Sequence, residues 1–566
     1  MRLIEKARVA AGVLRWRLTW DRGDIDYRPA GLPYPKFLSA REAVGLIPDD
    51  ATVLSCGLGS SGRCSIFFWA VREAFELTGM PMGLTWISVG AQGGRGRLPG
   101  TVEELALPGL VRRYISGHVE TARELLHLAE RGRLQLHLLP QGEMALAIEA
   151  QGAGGGPIVS HTGLGTFLDP RTGGGSVVNG EPGESLVRVA GDALEYRLPR
   201  IDVAMINAPY ADEHGNIYFR HAAALTESVE AARAARHNGG QVLVAVADLV
   251  PFAGDEVMLP AEDVDAVVVN PHNEQTGGIP QRRYWPMFTP EGRENERSAV
   301  QKLRFANDLL GITPRRGPAQ QAVARLGAAL FVREVARGAT VNLGVGYGEE
   351  VVRILCEQGL HRDIVFTTET GVYGGLPAPG VYFGTAINPL RLESSAWMFH
   401  HYREHLDATL LGFLEVDSAG NVNSAMRGDR ITDLVGPGGM PSIAGAAQTV
   451  IFIGGWMSGA RWRVGSNGLR LERPGAPKFV ERLRSVSFNA EHALGQGKRV
   501  FYVTQVGVFA LTPEGLLLID VMPGIDVERD ILAHSGARIL QLPGAGPEAA
   551  PLAVATGRGF RLSWPG

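Results

Sequence analysis

Glu369 is the residue of this chain best placed to do chemistry. It sits in Phe366-Thr367-Thr368-Glu369-Thr370-Gly371-Val372-Tyr373-Gly374-Gly375-Leu376-Pro377. The β-prone run Ile364-Val365-Phe366 leads into the carboxylate, and a Gly/Pro-rich loop follows it. That order predicts a carboxylate at the carboxyl end of a strand with little side-chain bulk after it. Open α/β sheets bind ligands at that edge, and glycine lets a backbone approach a substrate closely. An accessible carboxylate there can act as a nucleophile. Taken alone, the pattern also fits a solvated loop residue, so the other clusters decide.

Two strand-to-helix turns rich in glycine, around Gly57 and Gly59 and around Gly344 and Gly346, could hold phosphates on the free amides of the helices that follow. Both also read as plain tight turns. Neither matches G-x-G-x-x-G or a P-loop, which argues against a nicotinamide dehydrogenase. A third cluster runs from Gln141, an amide donor suited to a carboxylate or carbonyl oxygen, to His161-Thr162-Gly163-Leu164-Gly165-Thr166-Phe167-Leu168-Asp169-Pro170-Arg171. The Gly163-Leu164-Gly165 turn is expected to expose backbone donors, Asp169 and Arg171 to pair locally, and His161 to be a hydrogen-bonded structural residue. In Val435-Gly436-Pro437-Gly438-Gly439-Met440-Pro441, the adjacent Gly438 and Gly439 could aim N–H groups at a developing oxyanion.

These residues need elements to hold them, and the chain is duplicated in outline. Strand 51–56, the first Gly-rich turn and helix 66–77 parallel strand 339–343, the second turn and helix 349–358. Each half then carries a D-x-x-G-N turn, at Asp212 and at Asp417, and a buried strand, 241–246 or 449–453. Apolar runs bounded by glycine and alternating with helices predict parallel α/β sheets. The division expected is an extension over 1–35, α/β domains over 36–310 and 311–545 with a cleft between them, and a peripheral Pro/Gly/Ala-rich tail over 546–566. The polar segment 284–317 reads as the seam, and 320–335 as an amphipathic helix.

With 566 residues, 45% hydrophobic and 20% charged, the chain suits two or three globular domains. A net charge of −4 argues against nucleic-acid binding driven by bulk charge. Its longest N-terminal apolar run, 9–14, is too short to span a bilayer, and no signal-peptide core precedes it. The three cysteines make no disulfide framework, so a reducing, cytoplasmic setting is expected. Cys56 and Cys64 read as small buried hydrophobes. No His/Cys/acidic spacing suggests a metal.

Together, Pro140-Gln141-Gly142, the run from Thr162 to Arg171, Glu369-Thr-Gly-Val-Tyr-Gly-Gly375, Gly436-Pro-Gly-Gly439 and the segment from Pro523 to His534 resemble the family I coenzyme A transferases, especially the single-chain short-chain acyl enzymes. The resemblance implies Glu369 as nucleophile, a glutamyl-CoA thioester and ping-pong kinetics. It implies an oxyanion site at Gly438 and Gly439 and a contact of Gln141 with the substrate carboxylate. Gly57, Gly59, Gly344, Gly346, Gly374 and Gly375 become candidates for loops that approach CoA, which enters as a substrate and not as a cofactor. Acetate, propionate, butyrate or 3-oxoacids are the implied acyl groups, with Tyr373, Tyr382, Phe383 and Met440 as candidate wall residues, and a homodimer or homotetramer is the implied assembly. Ser60 and Ser61 depart from a loop that is nearly all glycine in the family. Rival readings on the same scaffold are an acyl-CoA hydrolase, a non-catalytic acyl-CoA sensor and a sugar-phosphate isomerase.

Overall fold

The computed structural model describes residues 3–565 apart from 20–22, 34, 95–98, 312, 542–543 and 545. The chain starts with helix α1 (Leu3–Thr19). A largely parallel sheet then follows: β1 (Thr52–Ser55), β2 (Leu84–Ser88), β3 (Val111–Ser116), β4 (Gln135–Leu138), β5 (Val203–Ala211), β6 (Gln241–Leu249) and β7 (Ala266–Val269). These strands lie in the order β7-β6-β5-β1-β2-β3-β4, all parallel, with Val53 opposite Trp86 on one side and Val203 on the other. The second sheet has β8 (Thr340–Leu343), β9 (Val365–Thr367), β10 (Ala408–Leu411), β11 (Thr449–Ile453) and β12 (Arg499–Val503) parallel in the order β9-β8-β10-β11-β12. Every residue of β1 and of β11 is buried, which is why β11 reads as a near-continuous apolar run and β1 sets Val53 and Leu54 side by side.

The duplication is structural. Sheet order reverses at β1 in the first half and at β8 in the second, and both glycine-rich turns leave those strands. Such reversal points are where open sheets bind ligands. Helix α2 (Ser65–Thr78) follows β1, buries Ile66, Phe67, Phe68, Ala70 and Val71, and stops at Gly79, whose φ of +74° suits glycine. The two D-x-x-G-N turns match in detail. Asp212 Oδ1 accepts the His214 and Asn216 amides at 2.9 and 3.0 Å, and Asp417 Oδ1 accepts those of Ala419 and Asn421 at 3.0 and 2.9 Å.

The remaining helices that position the site are α3 (Gln141–Gly152), α4 (Ser228–His237), α5 (Glu296–Leu310), α6 (Pro318–Glu334), α7 (Tyr347–Gln358), α8 (Ser395–His405) and α9 (Met440–Ala446). The polar 284–317 segment, the expected seam, contains α5, which buries Ala299, Leu303 and Ala306 in the second half's core. One expectation needs correction: the tail is not peripheral. Val554 and Ala555 are buried, Arg325 donates to both their carbonyls at 2.7 and 2.8 Å, and Trp564 packs near Phe331 while donating to Asp363 at 2.9 Å. Small apolar residues among prolines and glycines conceal that packing in the composition. The tail boundary at 545 lies outside the described residues. Residues of α1 dock on the seam and just before it: Arg17 donates to the Leu309 and Leu310 carbonyls, and Trp16 Nε1 to Glu274. Among the described residues no helix is long and apolar enough to cross a membrane.

Candidate active site

Strand β9 ends at Thr367, and Glu369 follows in the turn closed by the Gly371 amide on the Thr368 carbonyl at 3.1 Å. Its carboxylate is only 8% exposed, and among the described residues no lysine or arginine pairs with it. The nearest polar side chain is Asn342 in neighbouring β8, whose Nδ2 lies 3.5 Å from Glu369 Oε2 and donates to the Tyr402 hydroxyl at 2.9 Å. Burial pushes the Glu369 carboxyl above the ordinary carboxylate range, with its own amide and Asn342 pulling weakly the other way. The Tyr402 hydroxyl is likewise held well above its usual value by burial and by the Glu369 charge. Asn342 and Tyr402 carry no sequence signal: one is a lone amide in an apolar strand, the other a buried aromatic in a helix.

Gln141 opens α3 where β4 ends, with its side chain buried. A Cβ on Gly117 would meet Gln141 Cγ at 2.4 Å, and one on Gly439 would meet Gln141 Oε1 at 3.4 Å. Gln141 and the Gly438-Gly439 pair therefore come together across the halves. The Gln141 amide donates to the Gly438 carbonyl at 3.0 Å, and the Gly438 amide donates to the Gly117 carbonyl at 2.7 Å. That second bond corrects one expectation: the Gly438 N–H is committed to joining the halves and is not free for an oxyanion. Gly439 caps α9, whose first amides have no intrahelical acceptor.

The Gly163-Leu164-Gly165 turn departs from expectation in the same way. The Gly165 amide is taken by Asp169 Oδ2 at 3.0 Å and the Leu164 amide by the His161 carbonyl at 3.3 Å. The Asp169–Arg171 pair is local as expected, bidentate at 2.8 and 2.9 Å. His161 is exposed, 3.8 Å from Asp192, rather than structural. This turn lines a cavity of about 470 Å³ between the halves, with Glu143, Arg403, Ser442 and Lys498 among its walls. Glu369 is not among those walls. The link runs through α8: Phe399 lines the cavity, its ring meets that of Tyr402 at 5.8 Å, and Tyr402 reaches Glu369 through Asn342.

The glycine-rich loops converge near the nucleophile turn. A Cβ on Gly384 would stand 2.9 Å from Thr370 and 3.3 Å from Leu58, and Gly59 faces the Phe383 carbonyl. Gly346 caps α7, and the Gly344 amide donates to Leu410 at 2.7 Å. Gly374 and Gly375, both at φ +75°, turn the chain beside Leu390 and Ile387. Ser60 and Ser61 have structural work that explains their presence. Ser60 Oγ donates to the Val381 carbonyl at 2.9 Å, tying the first loop to the second half, and Ser61 Oγ meets Thr276 Oγ1 at 2.8 Å. Cys56 and Cys64 are fully buried, as expected. Of the candidate wall residues, Tyr382 belongs to a ring cluster with Trp285 and Phe288, Met440 is buried in the second half's core, and Tyr373 lies under the Arg391 guanidinium at 4.4 Å.

A family model described as "Coenzyme A transferase" matches residues 37–270. The caffeate CoA-transferase of Acetobacterium woodii is 32% identical over 513 residues, covering 88% of this chain and 93% of that protein. The acetate CoA-transferase YdiF of Escherichia coli O157:H7 is 31% identical over 88% of this chain and 91% of its own. The YdiF apoenzyme crystal structure superposes with a TM-score of 0.80 at 27% identity, covering 94% of this chain and 97% of that one. A YdiF structure described as a thioester complex with CoA gives a TM-score of 0.80 at 28% identity, covering 93% of this chain and 98% of that one. With two named transferases matched across 88% of its length at over 30% identity, and with the fold of the YdiF crystal structure reproduced over both halves, this chain belongs to the family I coenzyme A transferases, enzymes that move CoA between an acyl-CoA and a carboxylate.

Proposed function

We propose that Glu369 is the nucleophile of a two-step, ping-pong transfer. Its carboxylate attacks the thioester carbonyl of an acyl-CoA, expelling CoA thiolate and leaving a mixed anhydride. The thiolate then attacks the glutamyl carbonyl, releasing the acyl carboxylate and leaving CoA on Glu369 as a thioester. An acceptor carboxylate reverses the steps. Splitting the transfer conserves the thioester's free energy. The observation that carries the reading is a buried carboxylate without a cation partner at the carboxyl end of β9. An ion-paired carboxylate would have to give up its partner to attack; this one does not. Each step forms a tetrahedral oxyanion, for which the Gly439 amide at the start of α9 is the donor of the Gly-Gly pair left available, with Gln141 beside it for the substrate carboxylate. A short-chain acyl group such as acetate or propionate is the proposed cargo, in keeping with the acetate transferase relative.

The direct test is intact mass after mixing with acetyl-CoA in the absence of an acceptor, followed by borohydride reduction and peptide mapping. The expected result is a CoA adduct that reduction converts at Glu369. An adduct at any other residue removes Glu369 from the mechanism, and no adduct with a broad panel of acyl-CoAs removes the covalent route.

The attacking form is the carboxylate, and its folded-state pKa is raised. The rate of acylation is therefore expected to fall as pH drops through that raised pKa, so the acid limb of kcat/KM should lie above the ordinary glutamate range. A limb at or below the free-glutamate value would contradict the assignment.

A further inference from the structure

Thr226 and Glu227 lie just before α4, and they touch both catalytic loops. Thr226 has φ +54°, a left-handed conformation rare for a β-branched residue. That twist aims its amide at the Thr370 carbonyl, beside the nucleophile, at 3.1 Å, while its own carbonyl accepts the Ser395 amide at 2.8 Å. The next residue, Glu227, is 2% exposed, and its Oε1 accepts the Gly57 amide at 3.0 Å. Gly57, at φ +114°, begins the first glycine-rich loop, and a Cβ there would stand 2.7 Å from Gly62. Among the described residues no basic side chain pairs with Glu227; the ionisable groups facing it are Cys56, Cys64 and Glu230. Burial raises the Glu227 carboxyl to about 8, so near neutral pH it is mainly the uncharged acid, holding the Gly57 amide by an acceptor oxygen whose reach a glutamine can match.

We propose that Glu227 is a positioning residue for CoA transfer: its side chain sets the first glycine-rich loop, through Gly57, against the nucleophile turn that the adjoining Thr226 holds through Thr370. Two consecutive residues thus fix the distance between a loop from the first half and the nucleophile from the second. The proposal rests on Glu369 being the nucleophile. Side-chain reach is the critical quantity. Glu227→Gln keeps the length and the acceptor oxygen. Glu227→Asp keeps the carboxyl group but withdraws the oxygen by about 1.5 Å, and a displacement of about 1 Å at reacting groups can cost about 100-fold.

The experiment uses the full-length enzyme with acetyl-CoA as donor and propionate as acceptor, and reads three quantities. These are kcat and KM, the rate of CoA adduct formation at Glu369, and amide exchange of the peptide spanning 52–64. Glu227→Gln is expected to hold kcat within about threefold of the parent enzyme. Glu227→Asp should lower kcat and adduct formation about 10- to 100-fold with KM for acetyl-CoA changed less than threefold, and should speed exchange of the 52–64 peptide. Glu227→Ala carries the same expectation as Glu227→Asp should the latter not be recovered folded. Adduct formation in Glu227→Asp or Glu227→Ala at the parent rate, or an equal loss in Glu227→Gln, overturns the proposal. If the parent enzyme transfers CoA without any adduct at Glu369, the nucleophile assignment fails instead, so the two failures are told apart.

Discussion

Glu369→Gln is expected to lower kcat by about 10³-fold or more while acyl-CoA still binds. The substitution is nearly isosteric, and Asn342 can still face the new amide, so the binding surface is preserved. What disappears is the anionic oxygen that forms the bond. A loss confined to the covalent route appears in kcat, not in ground-state affinity. The same variant should be more stable than the parent at neutral pH. Burial raises the folded-state pKa of Glu369, so folding favours the protonated form. Its contribution to stability is full below the ordinary carboxylate pKa and is lost as pH rises through the raised one. At neutral pH the charged form therefore opposes folding, and a neutral amide removes that opposition. Thermal melting alongside steady-state kinetics checks both halves. Ordinary turnover in Glu369→Gln would refute the nucleophile, and a lower melting temperature would refute the account of its burial.

How far the sequence reaches can be seen residue by residue. Strands such as β11 were legible because parallel strands buried on both faces need near-continuous apolar runs, and the end of β1 was legible because glycine marks a sharp exit. The duplication was legible because each Asp of a D-x-x-G-N turn must satisfy the same backbone amides. Glu369 was legible for the same local reason, a carboxylate between an apolar run and glycines. What a glycine's amide is bonded to was not legible. Gly438 looked like an oxyanion donor, yet its N–H goes to Gly117 from the other half, a pairing that only the docking of distant segments creates. Asn342, Tyr402 and Glu227 were missed for that reason too, because each acquires its role from a partner far away in the chain. The tail was misread because composition was taken for exposure, whereas it buries small residues such as Val554 and Ala555.

Gly371→Ala is expected to cost kcat about 100-fold, more than its effect on folding predicts. Gly371 has φ +97°, and a Cβ there would stand 1.8 Å from the Glu393 carbonyl oxygen and 2.6 Å from its carbon. Both contacts are backbone, so no rotamer relieves them. The residue is also pinned: its amide donates to Thr368 at 3.1 Å and its carbonyl accepts the Glu393 amide at 2.8 Å. Either the Glu393 segment withdraws or the turn from Thr368 to Gly371 opens, and Glu369 lies inside that turn. A shift of about 1 Å at the attacking carboxylate is enough for the expected loss. Strain at the disfavoured φ adds about 1–3 kcal/mol of destabilisation. Gly311→Ala separates the two effects. Gly311 ends α5 at φ +69° with no atom within 4 Å of its would-be Cβ, so alanine there meets the strain without the collision. It should destabilise by about 1 kcal/mol and leave kcat unchanged. Comparing the pair by melting temperature, kcat and the rate of CoA adduct formation isolates the geometry of the turn. Should Gly371→Ala form the adduct within tenfold of the parent rate while folded, the turn does not need to hold Glu369 as tightly as its hydrogen bonds imply, and preorganisation of the nucleophile would have to come from Asn342 in β8 instead.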